Sequence, residues 1–333
     1  MPERLNPIDV RLIDGNQRDF PLAERPFALI GAELGLAEAE VLARLRRLRG
    51  NGQITRVGAT IAPNTIAASS LVAMRIPDGR IDEVATLVTA ENGVNHAYLR
   101  EHELNFWFVL TGPDEAYLKA ALGRIRRKSG LRALDLRLRR AFNVDLGFSL
   151  SGGAAPPPPP RAPRRELLVP DDRPLLQRLS EGLDLNPDPW GTLAERLGRP
   201  RAEVMARVRT LSEAGIIGRL GIIVRHRSLG WTANAMVVWD LTPRRIDRAG
   251  PALAATPGIT LCYERRPAPG WPYRLYTMIH ARSRREALAT LDAAATVHGL
   301  RDVPREVLFS VRCFKQRGAL IDAGAAANVP GRQ

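Results

Sequence analysis

Residues 94–107, VNHAYLREHELNFW, carry side chains that could hold an acidic ligand and pass a proton to it. Alternate residues of an extended strand lie on one face, so His96, Tyr98 and Arg100 are predicted to form a row. The imidazole could transfer a proton near neutral pH, and the guanidinium could bind a carboxylate. This combination suits an aromatic ligand that carries carboxylates. The alternative is a half-exposed strand whose polar side chains meet only solvent.

The same stretch predicts a β-hairpin that would position this row. Residues 101–103 form the turn, which includes His102, and the return strand carries Asn105 and Trp107 on one face. The opposite face is apolar and would pack under helices, with Ala97, Leu99, Leu104, Phe106 and Phe108. The hairpin therefore separates a polar face from a core face.

The length and composition favour a multidomain globular protein. At 333 residues, of which 45% are hydrophobic, the chain can build two or more cores. Cys262 and Cys313 form no CxxC motif, which argues against a disulfide framework, an iron–sulfur cluster or a structural zinc. No apolar run could span a bilayer, and the charged N-terminus lacks the apolar centre of a secretory signal. We therefore expect a cytoplasmic protein without a membrane segment.

The formal charge of +14 indicates an anionic partner. Nucleic acid, a membrane surface and a polyanionic small molecule all meet this condition. Arginine-rich codon usage could account for part of the excess. Charge alone therefore leaves the partner open.

The chain contains an internal repeat. Residues 38–58, EAEVLARLRRLRGNGQITRVG, align without a gap to residues 201–221, RAEVMARVRTLSEAGIIGRLG. Arg56 matches Arg219 in this alignment, so the fold is predicted to be a tandem duplication. Residues 151–165, SGGAAPPPPPRAPRR, separate the two copies, and their proline run predicts a stiff linker.

Each copy is predicted to be α+β, with a winged helix-turn-helix followed by a ferredoxin-like βαββαβ domain. The predicted domains are residues 1–62 and 63–150 in copy one, and 166–226 and 227–333 in copy two. The winged helix-turn-helix elements are predicted at 6–15, 25–34, 37–49 and 53–61, and at 171–181, 190–197, 200–213 and 216–224. Asp171 is the predicted N-cap of its helix.

The βαββαβ elements follow the same order in both copies. They are predicted at 69–76, 80–89, 94–100, 104–111, 114–128 and 131–142, and at 232–240, 245–254, 259–265, 272–281, 283–298 and 302–314. Helices cover one face of such a sheet, so the other face needs a partner. We expect the two copies to pair with each other within the chain.

A winged helix joined to a ferredoxin-like domain resembles the Lrp/AsnC transcription regulators. The third helix of copy one is rich in arginine, as phosphate binding requires, with Arg44, Arg46, Arg47 and Arg49. The corresponding helix of copy two mixes arginine with Glu203 and Glu213, and both helices are poor in Asn and Gln for reading bases. We therefore expect no tight binding to a specific operator.

Several separated motifs resemble the siroheme decarboxylases. VNHAYLREHELNFWFVL is similar to that family's HNYxREHxxNxWF signature, with Ala97 in place of Asn. TLCYERRPAPGWPYRLYTMIHAR, at 260–282, is similar to the CYxRP, WPYNL and MIHG segments, with Arg274 in place of Asn. Residues 226–239 and 308–319 also resemble the second subunit type. Copy one resembles one subunit type and copy two the other, so the resemblance implies a fused two-subunit enzyme.

This resemblance implies a reaction and a partner. The substrate is siroheme, a polyanionic iron-tetrapyrrole, and two of its acetate arms lose CO₂ to give didecarboxysiroheme. The tetrapyrrole can delocalise the carbanion, so no cofactor is expected beyond the substrate's own iron-tetrapyrrole. A histidine would deliver the proton and arginine forks would hold other carboxylates. A DNA-binding regulator and a haem sensor without catalysis are the alternatives.

The candidate site residues combine the resemblance with the strand pattern. The catalytic candidates are His96, as proton donor or contact to the substrate iron, followed by His226 and His102. The substrate-binding candidates are Tyr98, Arg100, Trp107, Arg219, Tyr263, Arg265, Tyr273 and His280. Core packing is the alternative for Trp107 and Tyr273. No metal site made by the protein alone is expected. Which half holds the site, and whether the chain forms a homodimer, stay open.

Overall fold

The computed structural model describes residues 5–144, 147, 150, 162–322 and 324. Within them the chain forms two compact units. The winged-helix unit comprises the described residues up to 65, residues 147 and 150, and residues 162–230. The barrel unit comprises residues 66–144, 231–322 and 324. Residues 151–161 of the predicted linker lie outside the described residues.

The order of elements confirms the predicted α+β tandem fold. Copy one contains α1 (Pro7–Asn16), α2 (Pro26–Leu34), α3 (Glu38–Gly50), β1 (Ile54–Ile61), β2 (Ala68–Met74), α4 (Ile81–Thr89), β3 (Val94–Arg100), β4 (Phe106–Gly112), α5 (Glu115–Ser129) and β5 (Ala133–Asn143). Copy two contains α6 (Asp172–Glu181), α7 (Pro189–Leu197), α8 (Arg201–Glu213), β6 (Ile217–Val224), β7 (Ala233–Trp239), α9 (Pro243–Ala254), β8 (Ile259–Arg265), β9 (Leu275–Ala281), α10 (Arg284–Val297) and β10 (Arg305–Gln316).

Local sequence signals set several helix ends. Helices α2 and α7 begin at proline and are followed by Gly35 and Gly198, which adopt left-handed backbone angles that suit glycine. Asp171 occupies the predicted N-cap position of α6, but its side chain makes no capping hydrogen bond. The next residue, Asp172, instead accepts a hydrogen bond from the backbone N–H of Val169 at 2.9 Å.

In the winged-helix unit, the two copies contact each other through their wing strands, β1 and β6. Strands β1 and β6 pair antiparallel, with Gly58 opposite Gly221. A Cβ atom at Gly58 would lie 2.6 Å from the carbonyl oxygen of Leu179 in α6, so a larger residue does not fit. Leu183, just after α6, donates its backbone N–H to Val57 of β1 at 2.7 Å. Each wing therefore packs against the other copy rather than projecting alone.

In the barrel unit, eight strands close into a barrel in the order β10-β3-β4-β2-β5-β8-β9-β7. Copy one contributes the run β3-β4-β2-β5 and copy two contributes β8-β9-β7-β10, the order of a ferredoxin-like sheet in each case. Two seams join the copies, one between β5 and β8 and one between β10 and β3. In each sheet, the face that the helices leave uncovered therefore lines the interior of the closed barrel.

Strand alternation divides the barrel into an outer and an inner core. Ala97, Phe106 and Phe108 pack outward against α4 and α5. Trp107 belongs to a different cluster that draws residues from seven of the eight strands, and only a barrel interior brings these together. Tyr98 lies directly opposite Trp107, so the third strand presents the same face to the interior.

The return strand begins later than predicted, at Phe106 rather than at residue 104. Asn105 does not join the polar row, because its side chain exchanges two hydrogen bonds with the backbone of Ile76. Leu104 packs with Trp107 rather than with Phe106, and its carbonyl accepts the Trp107 indole N–H at 2.6 Å. These hydrogen bonds hold residues 104 and 105 outside the strand ladder, so β4 begins at Phe106.

Because two strand pairings join copy one to copy two, we expect the two copies to stay together when the linker is cut. Cutting the chain between Gly153 and Pro156 should leave two fragments that elute together from a sizing column, because β5–β8 and β10–β3 keep their backbone hydrogen bonds. The same cut combined with Ala141→Pro, which places a residue without an N–H in the β5–β8 seam, should loosen the pair. Separate elution of the fragments of the otherwise unchanged chain at micromolar concentration would contradict this prediction.

Candidate active site in the barrel interior

His96, Tyr98 and Arg100, here called the His96 row, face the barrel interior from β3. The His96 and Tyr98 rings stack with centroids 6.4 Å apart, and the Arg100 guanidinium lies 5.6 Å from the Tyr98 centroid. His96 and Tyr98 are half-buried, whereas Arg100 is only 5% exposed. The row therefore runs from an accessible imidazole to a buried cation.

The buried end of the row joins a chain of hydrogen bonds, here called the Arg100 network. Arg100 Nη1 donates to Asn234 Oδ1 at 3.2 Å and to the carbonyl oxygen of Leu308 at 2.9 Å. Asn234 Nδ2 lies 2.6 Å from His280 Nε2, and His280 Nδ1 lies 2.7 Å from Thr260 Oγ1. Four polar side chains from four strands are thus connected in the barrel.

The two copies build this cluster together. The His96 row belongs to copy one, whereas Asn234, Thr260 and His280 belong to copy two. The β10–β3 seam makes the junction, and it places Ser310 opposite Arg100 and Cys313 opposite Tyr98. The candidate site therefore requires both halves of the chain.

Copy two contains an equivalent of the His96 row without the imidazole. Arg265 Nη1 donates to the carbonyl oxygen of Leu136 at 2.8 Å, as Arg100 does to that of Leu308. The Arg265 guanidinium lies 4.6 Å from the Tyr263 centroid, and Leu261 stands two residues before Tyr263 on this strand. Burial lowers the pKa of the Arg265 guanidinium. Arg100 and Arg265 therefore have equivalent backbone contacts and equivalent tyrosine neighbours, but only the strand of copy one carries a histidine.

Aromatic side chains fill the middle of the barrel. The Trp107 and Trp271 ring centroids are 5.4 Å apart, and Trp271 Nε1 donates to the Tyr276 hydroxyl at 2.7 Å. Burial raises the pKa of the Tyr276 phenol, which keeps it protonated. Tyr273 packs edge-on against Trp271 at 4.7 Å and donates its hydroxyl to Glu306 at 3.3 Å. Trp107, Trp271, Tyr273 and Tyr276 belong to one cluster of the barrel interior, here called the aromatic wall.

His102 lies in the hairpin turn, at the edge of this wall. Its Nδ1 accepts the backbone N–H of Leu104 at 2.9 Å, so in the neutral ring the hydrogen is on Nε2. Its ring meets Trp271 edge-on, with centroids 5.4 Å apart. The structure thus gives His102 a local contact within the turn and a contact to the interior wall.

Arg219 and His226 belong to the winged-helix unit. Arg219 lies buried on β6, and His226 lies buried in a short turn just after that strand. Burial, together with the charge of Arg219, lowers the pKa of Arg56 to about 10. The structure thus assigns these two candidates to a different unit from the His96 row.

Arginines of the third helices are engaged within the winged-helix unit. Asp9 of α1 is fully buried and accepts hydrogen bonds from Arg44 at 3.0 Å and Arg47 at 2.5 Å. In copy two, the equivalent Asp172 accepts two hydrogen bonds from Arg207, at 2.6 and 2.7 Å. Much of the basic character that suggested DNA binding therefore holds the first helix to the third.

Replacing Asp9 with asparagine should destabilise the winged-helix unit by about 1–3 kcal/mol, because Arg44 and Arg47 lose a buried acceptor with a full charge. Hydrogen exchange at α1 under native conditions would measure this loss. Asp184→Asn is the matched control, because its ion pair with Arg196 is exposed and should contribute less than about 0.5 kcal/mol. Equal protection of α1 in both variants would contradict the structural role of Asp9.

Among the described residues, no group of three or more His, Cys, Asp or Glu side chains could hold a metal ion. None of the helices formed by these residues is long and apolar enough to cross a bilayer.

Two family profiles match both copies. The AsnC-like ligand binding domain matches residues 66–143 and 228–315, and the siroheme decarboxylase NirDL-like HTH domain matches residues 9–54 and 172–217. Together with the closed barrel, these matches define a class: tandem proteins built on the Lrp/AsnC architecture.

Relatives with full-length similarity narrow the class to one family. The siroheme decarboxylase NirDL subunit of Paracoccus denitrificans (strain Pd 1222) is 52% identical over 97% of this chain and 99% of its own length. The chain therefore belongs to the siroheme decarboxylase family. The NirD and NirL subunits of Stutzerimonas stutzeri are 46% and 39% identical over 42% and 43% of this chain, and over 92% and 85% of their own lengths. The predicted fusion of two subunit types is thereby confirmed.

Solved structures support the same fold. The crystal structure of a siroheme decarboxylase NirDL aligns with a TM-score of 0.68 over 97% of this chain and 96% of that chain, at 24% identity. A second NirDL structure, in complex with an iron-uroporphyrin III analogue, aligns with a TM-score of 0.66 at 22% identity and covers 97% of both chains.

Proposed function

We propose that this chain removes two acetate carboxyl groups from siroheme as CO₂ and yields didecarboxysiroheme. Family membership supports the reaction, since full-length relatives carry the name siroheme decarboxylase. The observation that carries the assignment to the barrel is the composite cluster, in which the His96 row of one copy meets Asn234 and His280 of the other. The co-complex of a NirDL relative with an iron-uroporphyrin III analogue supports a tetrapyrrole as the ligand class.

The chemistry needs an acid but no redox partner. Each acetate arm loses CO₂ when the bond between its methylene and carboxyl carbons breaks. The electron pair stays on the methylene carbon and delocalises into the tetrapyrrole, and a proton then converts this carbon to a methyl group. One proton is consumed for each CO₂ released, and nothing is oxidised. We therefore propose that the substrate's own iron-tetrapyrrole suffices and that no further cofactor takes part.

We propose His96 as the proton donor. Its imidazole is half-buried, so it can reach a ligand in the interior and regain a proton from solvent after each step. His280 is less suited to this role, because its Nε2 lies within hydrogen-bond distance of an amide that donates. We propose that His280 instead lines the site and contacts the substrate.

We propose Arg100 as the carboxylate clamp, with Tyr98 beside it. Its guanidinium is held in one orientation by Leu308 and Asn234, which favours bidentate binding of a planar carboxylate. Burial strengthens such a contact because water competes less. The clamp would hold one carboxylate of the substrate while another departs.

The other predicted contacts receive different roles in this proposal. Trp107, Tyr263, Tyr273 and Arg265 support the aromatic wall, because Arg265 lies beneath the Tyr263 and Tyr276 rings. His102 holds the hairpin turn. His226 keeps the support of the family resemblance, whereas Arg219 keeps only that of its match to Arg56 in the internal repeat. Alanine variants of each would test these two candidates.

Anaerobic incubation with siroheme, followed by mass analysis of the tetrapyrrole, tests the reaction. Loss of two CO₂ units with the purified chain, and none with a heat-denatured sample, is the expected result. A tetrapyrrole that binds but keeps its mass would favour the haem sensor. A chain that ignores siroheme but protects a defined DNA site near physiological salt would favour the regulator.

A further inference from the structure

Asn234 occupies a central position that the strand pattern does not explain. It is 3% exposed and follows the inward face of β7, which otherwise presents Met236 and Val238 to the apolar interior. A buried amide in such a strand costs free energy unless its polar atoms are bonded. Here both are bonded, one to Arg100 and one to His280.

The partners fix the orientation of the amide. Arg100 can only donate, so the oxygen of Asn234 must face it, and the NH₂ group must face His280. The reverse orientation would set the NH₂ group against the guanidinium. His280 Nε2 therefore accepts a hydrogen bond from Asn234.

The same reasoning fixes the imidazole. The Thr260 hydroxyl donates to the carbonyl oxygen of Met278 at 3.1 Å, so it accepts from His280 Nδ1 at 2.7 Å. The hydrogen of the neutral His280 ring is then on Nδ1. A second hydrogen on Nε2 would point at the NH₂ group of Asn234. Arg100 is linked to His280 through Asn234, and its positive charge also disfavours an imidazolium.

We propose that Asn234 is a positioning residue for decarboxylation: it orients the Arg100 guanidinium toward a substrate carboxylate and keeps His280 neutral, with its lone pair on Nε2. This role rests on the proposed function of the cluster. Asn234 touches no reacting atom in this scheme and acts through Arg100 and His280. Because its bond to Asn234 keeps His280 uncharged, His280 does not compete with Arg100 for a carboxylate of the substrate.

Asn234→Asp separates positioning from simple support of the fold. The new carboxylate has the same shape, but it pairs with Arg100 and accepts a hydrogen from His280 Nε2. Siroheme should then bind at least about tenfold more weakly, because the new carboxylate neutralises the charge of Arg100 that would otherwise bind the substrate. His280 should also carry two hydrogens at neutral pH, which nitrogen NMR of the labelled imidazole detects. The wild-type ring should show a hydrogen on Nδ1 alone.

Ser69→Ala is the matched control, since Ser69 pairs with Thr111 at the place in copy one where Asn234 pairs with His280 in copy two. It should change neither KM nor the His280 signal. If wild-type His280 has its hydrogen on Nε2, or if Asn234→Asp binds siroheme as the control does, the positioning role is wrong. Absence of turnover in the wild-type chain would overturn the proposed function instead, whereas the NMR result reports on the network either way.

Discussion

Replacing His96 with alanine should lower the rate of CO₂ release about 10²–10⁴-fold, the usual contribution of a positioned acid. The protein should still fold, because the side chain is half-buried and the neighbouring Ala97 supplies the core contact of this strand. It should also still bind siroheme, because Tyr98 and Arg100 stay in place. Single-turnover assays under anaerobic conditions, together with a spectroscopic titration of siroheme, measure the two quantities separately.

Two further variants sharpen this result. His96→Gln keeps a polar side chain without a titrating proton and should be nearly as slow as the alanine variant. His298→Ala is the matched control, since His298 ends α10 and contacts Thr256 rather than the interior cluster. Wild-type turnover in His96→Ala would mean that the proton comes from another group. Loss of folding in that variant would instead make His96 a structural residue.

Replacing Arg100 with alanine should weaken siroheme binding about 10- to 100-fold, because a carboxylate loses a charge-assisted bidentate partner. The same change should lower the free energy of unfolding by about 1–3 kcal/mol, since the Leu308 carbonyl and Asn234 Oδ1 lose a buried donor. The effect on binding should exceed the effect on the rate of the bound complex. Siroheme titration and denaturant unfolding measure the two losses.

Arg265→Ala is the informative comparison because it removes the equivalent guanidinium of copy two. It should lower stability by a similar amount, since the Leu136 carbonyl loses its donor, while siroheme affinity stays within about twofold. Equal loss of affinity in both variants would make both arginines clamps, as the sequence resemblance implies. Unchanged affinity in Arg100→Ala would remove Arg100 from the binding site.

The fold was largely predictable because its signals are local and occur twice. Strand alternation predicted residues 94–100 with the boundaries that the structure shows. Proline at the first position and glycine after the last position of α2 and α7 are local signals of this kind. The boundary error at residue 104 arose because Asn105 bonds to Ile76, which lies 29 positions earlier in the sequence, so no local pattern shows the contact.

The site was only partly predictable because closure of the barrel assembles it. The sequence shows the His96 row, but Asn234 comes 134 residues after Arg100, and no local pattern joins them. A single Asn among the apolar residues of β7, ANAMVVW, was the one available signal. The ion pairs between the first and third helices had a clearer signal in the sequence. Asp9 and Arg44 recur in the second copy as Asp172 and Arg207, at the same spacing.

The two seams of the barrel also bear on why the halves share one chain. Both seams are antiparallel pairings of a last strand with a second strand, so each half could in principle pair with another copy of itself. A pair of two first halves would lack Asn234 and His280, and a pair of two second halves would lack His96. Covalent linkage raises the effective concentration of the correct partner, to the millimolar range for short linkers. The fusion thus favours the mixed pairing and keeps the two halves in a one-to-one ratio.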